Sequence, residues 1–230
     1  MKGAHALALG CLALTGCTTP MMTSDAGPIP DAWEALPAEH IPAGFTRTPD
    51  LLPLGEHTFA TAEMVLEANT DYAMVLQTDV GRVILDLHEV ETPNTVNSFV
   101  FLTRHGFFDG ILFHRVIDGF MAQSGDPNTL SANRTTWGTG GSGYEFDIEI
   151  ADGYAFDRAG IVGTANRGGG ATNGSQFFIT FAPATHLSNA GYTIFAHVIE
   201  GLDVLPLITR GEPARTPTSI RHAYIVQRPR

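Results

Sequence analysis

The chain has 230 residues, of which 43% are hydrophobic and 16% are charged, a balance typical of one folded domain and too apolar for a disordered protein. Its 24 acidic and 13 basic residues give a formal net charge of −11, which argues against a protein that binds nucleic acid through the phosphates. No apolar run reaches the ~18 residues of a membrane-spanning helix, so an integral membrane bundle is excluded. Lys2 is the only lysine, which leaves no P-loop or Schiff-base lysine once the first residues are removed.

The N-terminus predicts export. Residues 1–16 are typical of a signal peptide, because Lys2 precedes a mostly apolar stretch that ends in small residues. The run Leu14-Thr15-Gly16-Cys17 resembles a bacterial lipobox, which implies cleavage before Cys17 and a diacylglycerol on its thiol. An ordinary signal peptide that is cut nearby is the alternative. The expected location is the cell envelope outside the cytoplasm, with membrane contact through the lipid anchor only.

Residues 17–57 hold the lipidated cysteine and a proline-rich stretch that is typical of a stiff, extended tether. Apolar residues at helical spacing, with Thr58 as a possible N-cap, predict a short helix in the extension at 58–70. The remaining residues, 71–230, form the predicted domain.

The domain begins with a predicted hairpin, whose strands at 72–78 and 82–88 flank a turn that contains Gly81. Thr92-Pro93 then predicts an N-cap and first turn of a helix that ends at His105-Gly106. Six more strands are predicted at 111–116, 120–124, 161–165, 177–181, 193–199 and 220–226, with a second helix at 202–210. Without any βαβ alternation, this order predicts a mainly β fold: a closed eight-stranded antiparallel β-barrel capped by two α-helices, with an N-terminal extension.

Two segments carry the chemistry, FHRVIDGFMAQSGDP at 113–127 and NGSQFFIT at 173–180. Strand alternation puts Met121 and Gln123 on one face, next to the strand that carries Arg115. An arginine beside an apolar floor and an amide suits recognition of a small apolar ring next to a carbonyl. Each residue alone has an ordinary interpretation as well, Arg115 as a surface ion pair and the apolar residues as core. The histidines from His40 to His222 show no metal-ligand spacing, so no metal is expected.

These two segments resemble the signature stretches of cyclophilins, the peptidyl-prolyl cis–trans isomerases. The similarity spans about 72–226 and includes TPNTVNSFVFL, GTGGSGY and FAHVIEGLDVL. The family's fold, an eight-stranded barrel with two helices, agrees with the strand count. The chain departs from the family pattern at Asp118, where proline is common, and at Ser124, where glycine is common. It also has an insertion at 127–137 beside the groove and an extra residue near Arg167.

The resemblance implies that Arg115 is the catalytic arginine and that Gln123 is the amide near the substrate carbonyl. The substrate-binding positions that it implies are Phe120, Met121, Ala165, Asn166, Gln176, Phe178, His186, Leu187 and Tyr192. It implies proline-containing polypeptides as partners, with cyclosporin-type cyclic peptides as further ligands to consider. No cofactor is expected, and nothing in the sequence indicates an oligomer or a nucleic-acid partner.

The expected function is isomerisation of X–Pro bonds in exported proteins, which assists their folding. The alternative is a membrane-tethered binding module or chaperone that holds Pro-containing segments with little turnover. An envelope hydrolase is disfavoured, because the sequence has no Gly-x-Ser-x-Gly elbow, no HExxH helix and no catalytic cysteine.

Overall fold

The computed structural model describes residues 39–166, 173–188 and 190–230. The predicted signal peptide, Cys17 and the first part of the predicted tether lie outside these residues. Within these three ranges, no helix has the length and hydropathy needed to span a bilayer.

One antiparallel sheet organises the domain. Its strands in chain order are β1 (Thr46–Arg47), β2 (Thr70–Thr78), β3 (Gly81–Leu87), β4 (Arg115–Ile117), β5 (Met121–Ser124), β6 (Ile161–Thr164), β7 (Phe177–Thr180), β8 (Ile194–Glu200) and β9 (Ile220–Pro229). Their order across the sheet is β1-β9-β2-β3-β8-β6-β7-β5-β4. The predicted hairpin is confirmed as β2 and β3, which pair from Ala73↔Asp86 to Thr78↔Gly81.

The strand count and the closure of the sheet differ from the prediction. The sheet has nine strands among the described residues, because β1 from the N-terminal extension adds to β9 with Thr46 opposite Gln227. Its outermost strands, β1 and β4, are not paired with each other. The architecture is therefore a mainly β, cyclophilin-like fold, and a closed eight-stranded barrel is not confirmed.

One of the predicted helices is present. Helix α1 spans Pro93–Arg104, with proline in its first turn and an almost wholly buried middle. The second predicted helix, at 202–210, is wrong: the structure has only a short 3₁₀ turn at Leu205–Leu207. Pro206 within that turn has no backbone N–H, which disfavours a continuing helix.

The predicted helix at 58–70 is also wrong, since this segment runs without regular structure until β2 begins. Its apolar side chains, Phe59, Ala62, Val65 and Leu66, pack against the main core. The Val65 N–H donates to Asn97 Oδ1 of α1 at 2.8 Å, and Asn97 Nδ2 donates to the Glu63 carbonyl at 2.9 Å. Tertiary contacts of this kind satisfy the backbone groups that a helix would otherwise pair.

Aromatic packing forms the centre of the main core. Phe99 of α1 stacks on Phe195 of β8 at 4.1 Å between ring centroids and meets Phe177 of β7 edge-on at 5.9 Å. A second, smaller cluster contains Met121, Phe156 and Phe178. This second cluster underlies a surface cavity and gives it a rigid apolar base.

Candidate active site

A cavity of about 250 Å³ opens where β4, β5 and β7 meet the loops that follow β6 and β7. It brings together nine residues singled out from the sequence: Arg115, Phe120, Met121, Gln123, Ala165, Asn166, Phe178, Leu187 and Tyr192. These residues come from five separate stretches of the chain, so only the tertiary fold assembles them.

Strand register sets the positions of the polar groups. Arg115 of β4 is directly opposite Gln123 of β5, and Gln123 is in turn opposite Phe178 of β7. Paired positions in antiparallel strands place their Cβ atoms about 4.5–5.5 Å apart on the same face. The guanidinium, the amide and the phenyl ring therefore follow one another across a single row of the sheet. The tight turn between β4 and β5 requires Gly119, whose φ is +66°.

The wall of the cavity is apolar and well supported. Phe178 is only 5% exposed; its ring stacks on Phe156 at 5.4 Å and meets Tyr192 edge-on at 5.6 Å. Met121 is 2% exposed and belongs to the same cluster. Such packing fixes the side chains in place, so a ligand meets a preformed surface.

Gln176 supports the site through its contact with Gln123. It does not line the cavity, although the sequence placed it in the groove. Gln123 Nε2 donates to Gln176 Oε1 at 2.9 Å, and Gln176 Nε2 donates to the Gly140 carbonyl at 2.8 Å. This chain of hydrogen bonds fixes the orientation of the Gln123 amide.

Comparison with known proteins agrees with this geometry. A sequence model of the family "Cyclophilin type peptidyl-prolyl cis-trans isomerase/CLD" matches residues 73–227. The chain belongs to this family. It is therefore a cyclophilin-type peptidyl-prolyl cis–trans isomerase, as the signature segments predicted.

Individual relatives support the same conclusion. Peptidyl-prolyl cis-trans isomerase-like 1 of Gibberella zeae is 42% identical over 135 residues, which cover 57% of this chain and 78% of that protein. Peptidyl-prolyl cis-trans isomerase-like 3 of Gallus gallus is 40% identical over 134 residues, 58% of this chain and 79% of that protein. A crystal structure of a Cryptosporidium parvum cyclophilin in the presence of the dipeptide Ala-Pro has a TM-score of 0.60 and 30% identity. The match covers 66% of this chain and 98% of the Cryptosporidium parvum chain.

His186 and Asn166, both implied by the resemblance, differ in their relation to this cyclophilin's cavity. His186 is exposed and does not line the cavity, and its ring lies 5.4 Å from that of Phe120. Asn166 lines the cavity and donates through Nδ2 to the Gly191 carbonyl at 3.1 Å. The extra residue predicted near Arg167 lies outside the described residues.

Arg115 has an acidic partner that the sequence analysis missed. Its Nε donates to Glu212 Oε2 at 2.9 Å, and the arginine side chain is 41% exposed. The ordinary interpretation of Arg115 as one half of a surface ion pair is therefore correct, and the same residue also lines the cavity. Nothing in the local pattern indicates Glu212, because 97 positions separate the two residues.

The neighbouring histidine, His114, faces the opposite side of the strand from Arg115. His114 is buried, whereas Arg115 is at the surface. Burial lowers the pKa of His114, which favours the neutral form of its imidazole.

A larger cleft of about 490 Å³ lies elsewhere, lined by carboxylates, arginines and the pair His88 and His197. Several of its charges neutralise one another, as in the contacts from Arg228 and Arg230 to Asp71. In the part of the chain that the structure describes, no group of three or more His, Cys, Asp or Glu side chains is arranged to hold a metal ion. The cavity at Arg115 has the apolar lining and the few convergent polar groups typical of a ligand site.

Proposed function

We propose that this enzyme accelerates rotation about X–Pro bonds with Arg115 as the catalytic residue and with Phe120, Met121, Phe178 and Leu187 as the walls that receive the proline ring. The observation that carries the proposal is the meeting of one arginine, one held amide and an apolar wall in a single cavity. Among the described residues that line the cavity, no pair is suited to nucleophilic attack, and rotation of an amide needs none.

The chemistry follows from the amide bond. Its partial double-bond character creates a barrier of ~18–20 kcal/mol, while the cis and trans X–Pro forms differ by only about 0.5–1 kcal/mol. In the twisted transition state the proline nitrogen regains a lone pair that the planar ground state lacks. A guanidinium near that nitrogen can donate a hydrogen bond in the transition state alone, which is differential binding.

The magnitude of this effect can be estimated. A hydrogen bond that involves a charged group contributes about 1.5–3 kcal/mol, and each ~1.4 kcal/mol is a factor of ten in rate. Arg115 then supplies roughly 10- to 150-fold of acceleration. The apolar wall strengthens the contact, because it excludes water and lowers the local dielectric.

The wall also explains how a proline ring would be held. Burying a CH₂ group contributes about 0.8 kcal/mol, so the three methylenes of the ring contribute roughly 2.4 kcal/mol. This is enough to favour a ring-shaped apolar side chain over a small or polar one. The Cryptosporidium parvum structure obtained with Ala-Pro makes an Ala-Pro peptide the natural first substrate to test.

The test is exchange NMR on an Ala-Pro-containing peptide, with and without the protein. We expect cis–trans exchange, which takes tens of seconds or longer uncatalysed, to become fast enough to measure with sub-stoichiometric enzyme. Binding without acceleration would favour the alternative, a module that holds Pro-containing segments. If the protein neither binds the peptide nor accelerates its exchange, the proposed function is wrong.

We further propose that the substrates are exported proteins and that the enzyme acts outside the cytoplasm as a membrane-tethered monomer. The support is the sequence of residues 1–17, whose apolar stretch ends in a lipobox-like Gly16-Cys17. Mass spectrometry of the mature protein should find an N-terminal, acylated Cys17, and Cys17→Ser should release the protein from membranes. An unmodified N-terminus upstream of Cys17 would contradict the anchor and leave the isomerase function standing.

A further inference from the structure

We propose that Glu212 is a positioning residue for Arg115 and that the insertion at 127–137 braces the loop that carries Glu212. The inference rests on the proposed function, in which Arg115 is the catalytic residue. It gives this chain's insertion a role in orienting the guanidinium.

The geometry of the guanidinium makes a contact at Nε informative. The group is planar with donors at Nε and at both terminal nitrogens, so a bond at Nε fixes the plane and leaves the terminal amino groups available for another partner. The Arg115 Nε–H donates to a carboxylate at 2.9 Å, the geometry of a charge-assisted hydrogen bond. A side chain that is 41% exposed would otherwise sample many rotamers, because little packing restrains it.

Strand-like pairing places Glu212 opposite Arg115. Val116 and Gly211 form an isolated antiparallel bridge, in which each backbone N–H donates to the other's carbonyl at 2.9 Å. In antiparallel pairing the residue before Val116 lies opposite the residue after Gly211, and these are Arg115 and Glu212. Gly211 has a φ of +142°, and a Cβ there would approach the Ala214 backbone to 2.5 Å, so the sharp path of this loop requires glycine.

The insertion holds the other side of the same loop. Arg134 Nη1 donates to the Ala214 carbonyl at 3.0 Å and Arg134 Nη2 donates to the Arg215 carbonyl at 2.8 Å. The Arg134 guanidinium also lies over the Trp137 ring at 5.0 Å, and Trp137 Nε1 donates to the Ser131 carbonyl at 3.0 Å. Arg134 is thus held by the Trp137 ring and donates to two consecutive backbone carbonyls of the loop.

The base of the insertion is itself fixed. Asp126, which immediately precedes it, is fully buried and accepts hydrogen bonds from the backbone N–H groups of Asn128 and Gly138. The insertion does not line the cavity, so its effect on substrate is indirect. Asp126 thus fixes both ends of the insertion, Arg134 ties the insertion to the 211–215 loop, and Glu212 of that loop contacts Arg115.

The experiment compares four variants: Glu212→Ala, Glu212→Gln, Arg134→Ala and a matched control, Glu200→Ala. Glu200 is an acid of similar exposure that pairs with Arg82 at 2.6 Å and does not line the cavity. The readouts are kcat and KM on the Ala-Pro peptide, thermal stability, and the Nε–H NMR signal of Arg115, identified by its disappearance in Arg115→Ala.

We expect Glu212→Ala to lower kcat two- to fivefold with KM unchanged, the range that an exposed ion pair can supply. The Arg115 Nε–H signal should move towards that of a solvent-exposed arginine. Glu212→Gln retains an acceptor oxygen and should keep the signal in place and kcat above that of Glu212→Ala. Arg134→Ala should change both readouts in the same direction by less, and Glu200→Ala should change neither.

An unmoved Nε–H signal in Glu212→Ala would overturn the positioning role, as would a loss of kcat no larger than that of Glu200→Ala. If the wild-type protein fails to accelerate exchange at all, the proposed function fails instead. The NMR signal still decides whether Glu212 orients Arg115 in that case.

Discussion

We expect the buried imidazole of His88 to make the stability of this protein depend on pH. The residue follows β3 and is 7% exposed, and its Nε2 lies 3.0 Å from His197 Nδ1. Burial first, and then the neighbouring His197, lower the pKa of His88 from 6.5 to about 4. The folded protein therefore resists protonation of His88 over a range of pH in which the unfolded chain is readily protonated.

The sign and magnitude follow from linkage. Between pH 6.5 and 4 the unfolded state binds a proton at His88 that the folded state does not, so the free energy of unfolding falls as pH falls through this window. The stability is fully present above pH 6.5. The difference between a pKa of 6.5 in the unfolded chain and about 4 in the folded protein corresponds to roughly 3 kcal/mol of stability, of which about 2 kcal/mol is lost by pH 5.

The measurement is urea unfolding at a series of pH values between 8 and 4.5, for the wild-type protein and for His88→Gln. The variant removes the titrating group, so its stability should fall less steeply with acidification, and the two curves should converge as pH decreases. Parallel curves over this window would refute the reasoning, because they would show that His88 does not carry the proton linkage.

Three further predictions concern the frame around the site. A hydrogen bond between the His222 ring and Asp109 at 2.9 Å raises the pKa of His222. Its contribution to stability is therefore present below pH 6.5 and is lost as pH rises through the folded pKa. In the same urea series, His222→Gln should remove this dependence of the unfolding free energy on pH, which is opposite in sign to that of His88. Gly125→Ala should prevent stable folding, since its φ is +87° and a Cβ would lie 2.2 Å from the Ser175 carbonyl oxygen. Gly119→Ala, at φ +66° with open space, should cost about 1–2 kcal/mol by thermal unfolding. Glu149→Ala should lower the free energy of unfolding by about 1–2 kcal/mol, because it leaves the backbone N–H groups of Asn94 and Thr95 without their carboxylate partner. A loss below about 0.3 kcal/mol would contradict a capping role for Glu149.

The helix cap shows where sequence reasoning reaches its limit. Thr92-Pro93 correctly predicted where α1 begins, since proline tolerates the first turn. The cap itself was predicted for the wrong side chain. Thr92 Oγ1 donates to the His88 carbonyl, and Glu149, more than 50 positions away, accepts the hydrogen bonds of the first turn. Local patterns indicate where a helix starts, whereas a cap supplied from another loop depends on the tertiary fold.

The same distinction applies to the site. The apolar alternation around Met121 and the arginine in the preceding strand predicted a pocket with one cation, and both side chains line one cavity. The pairing of Arg115 with Glu212 depends on a single bridge between distant backbone segments. Likewise, the addition of β1 to β9 depends on a two-residue pairing that no periodicity reveals.

The most direct test of the central claim measures binding and catalysis together in Arg115→Ala. In one exchange NMR titration of an Ala-Pro peptide, we expect the Kd of Arg115→Ala to stay within about threefold of wild type, because the apolar wall holds the ring. The catalysed exchange rate should fall by roughly 10- to 150-fold, since the contact at the proline nitrogen exists only in the transition state. An unchanged exchange rate, or a loss of binding as large as the loss of rate, would contradict the claim that Arg115 acts on the transition state.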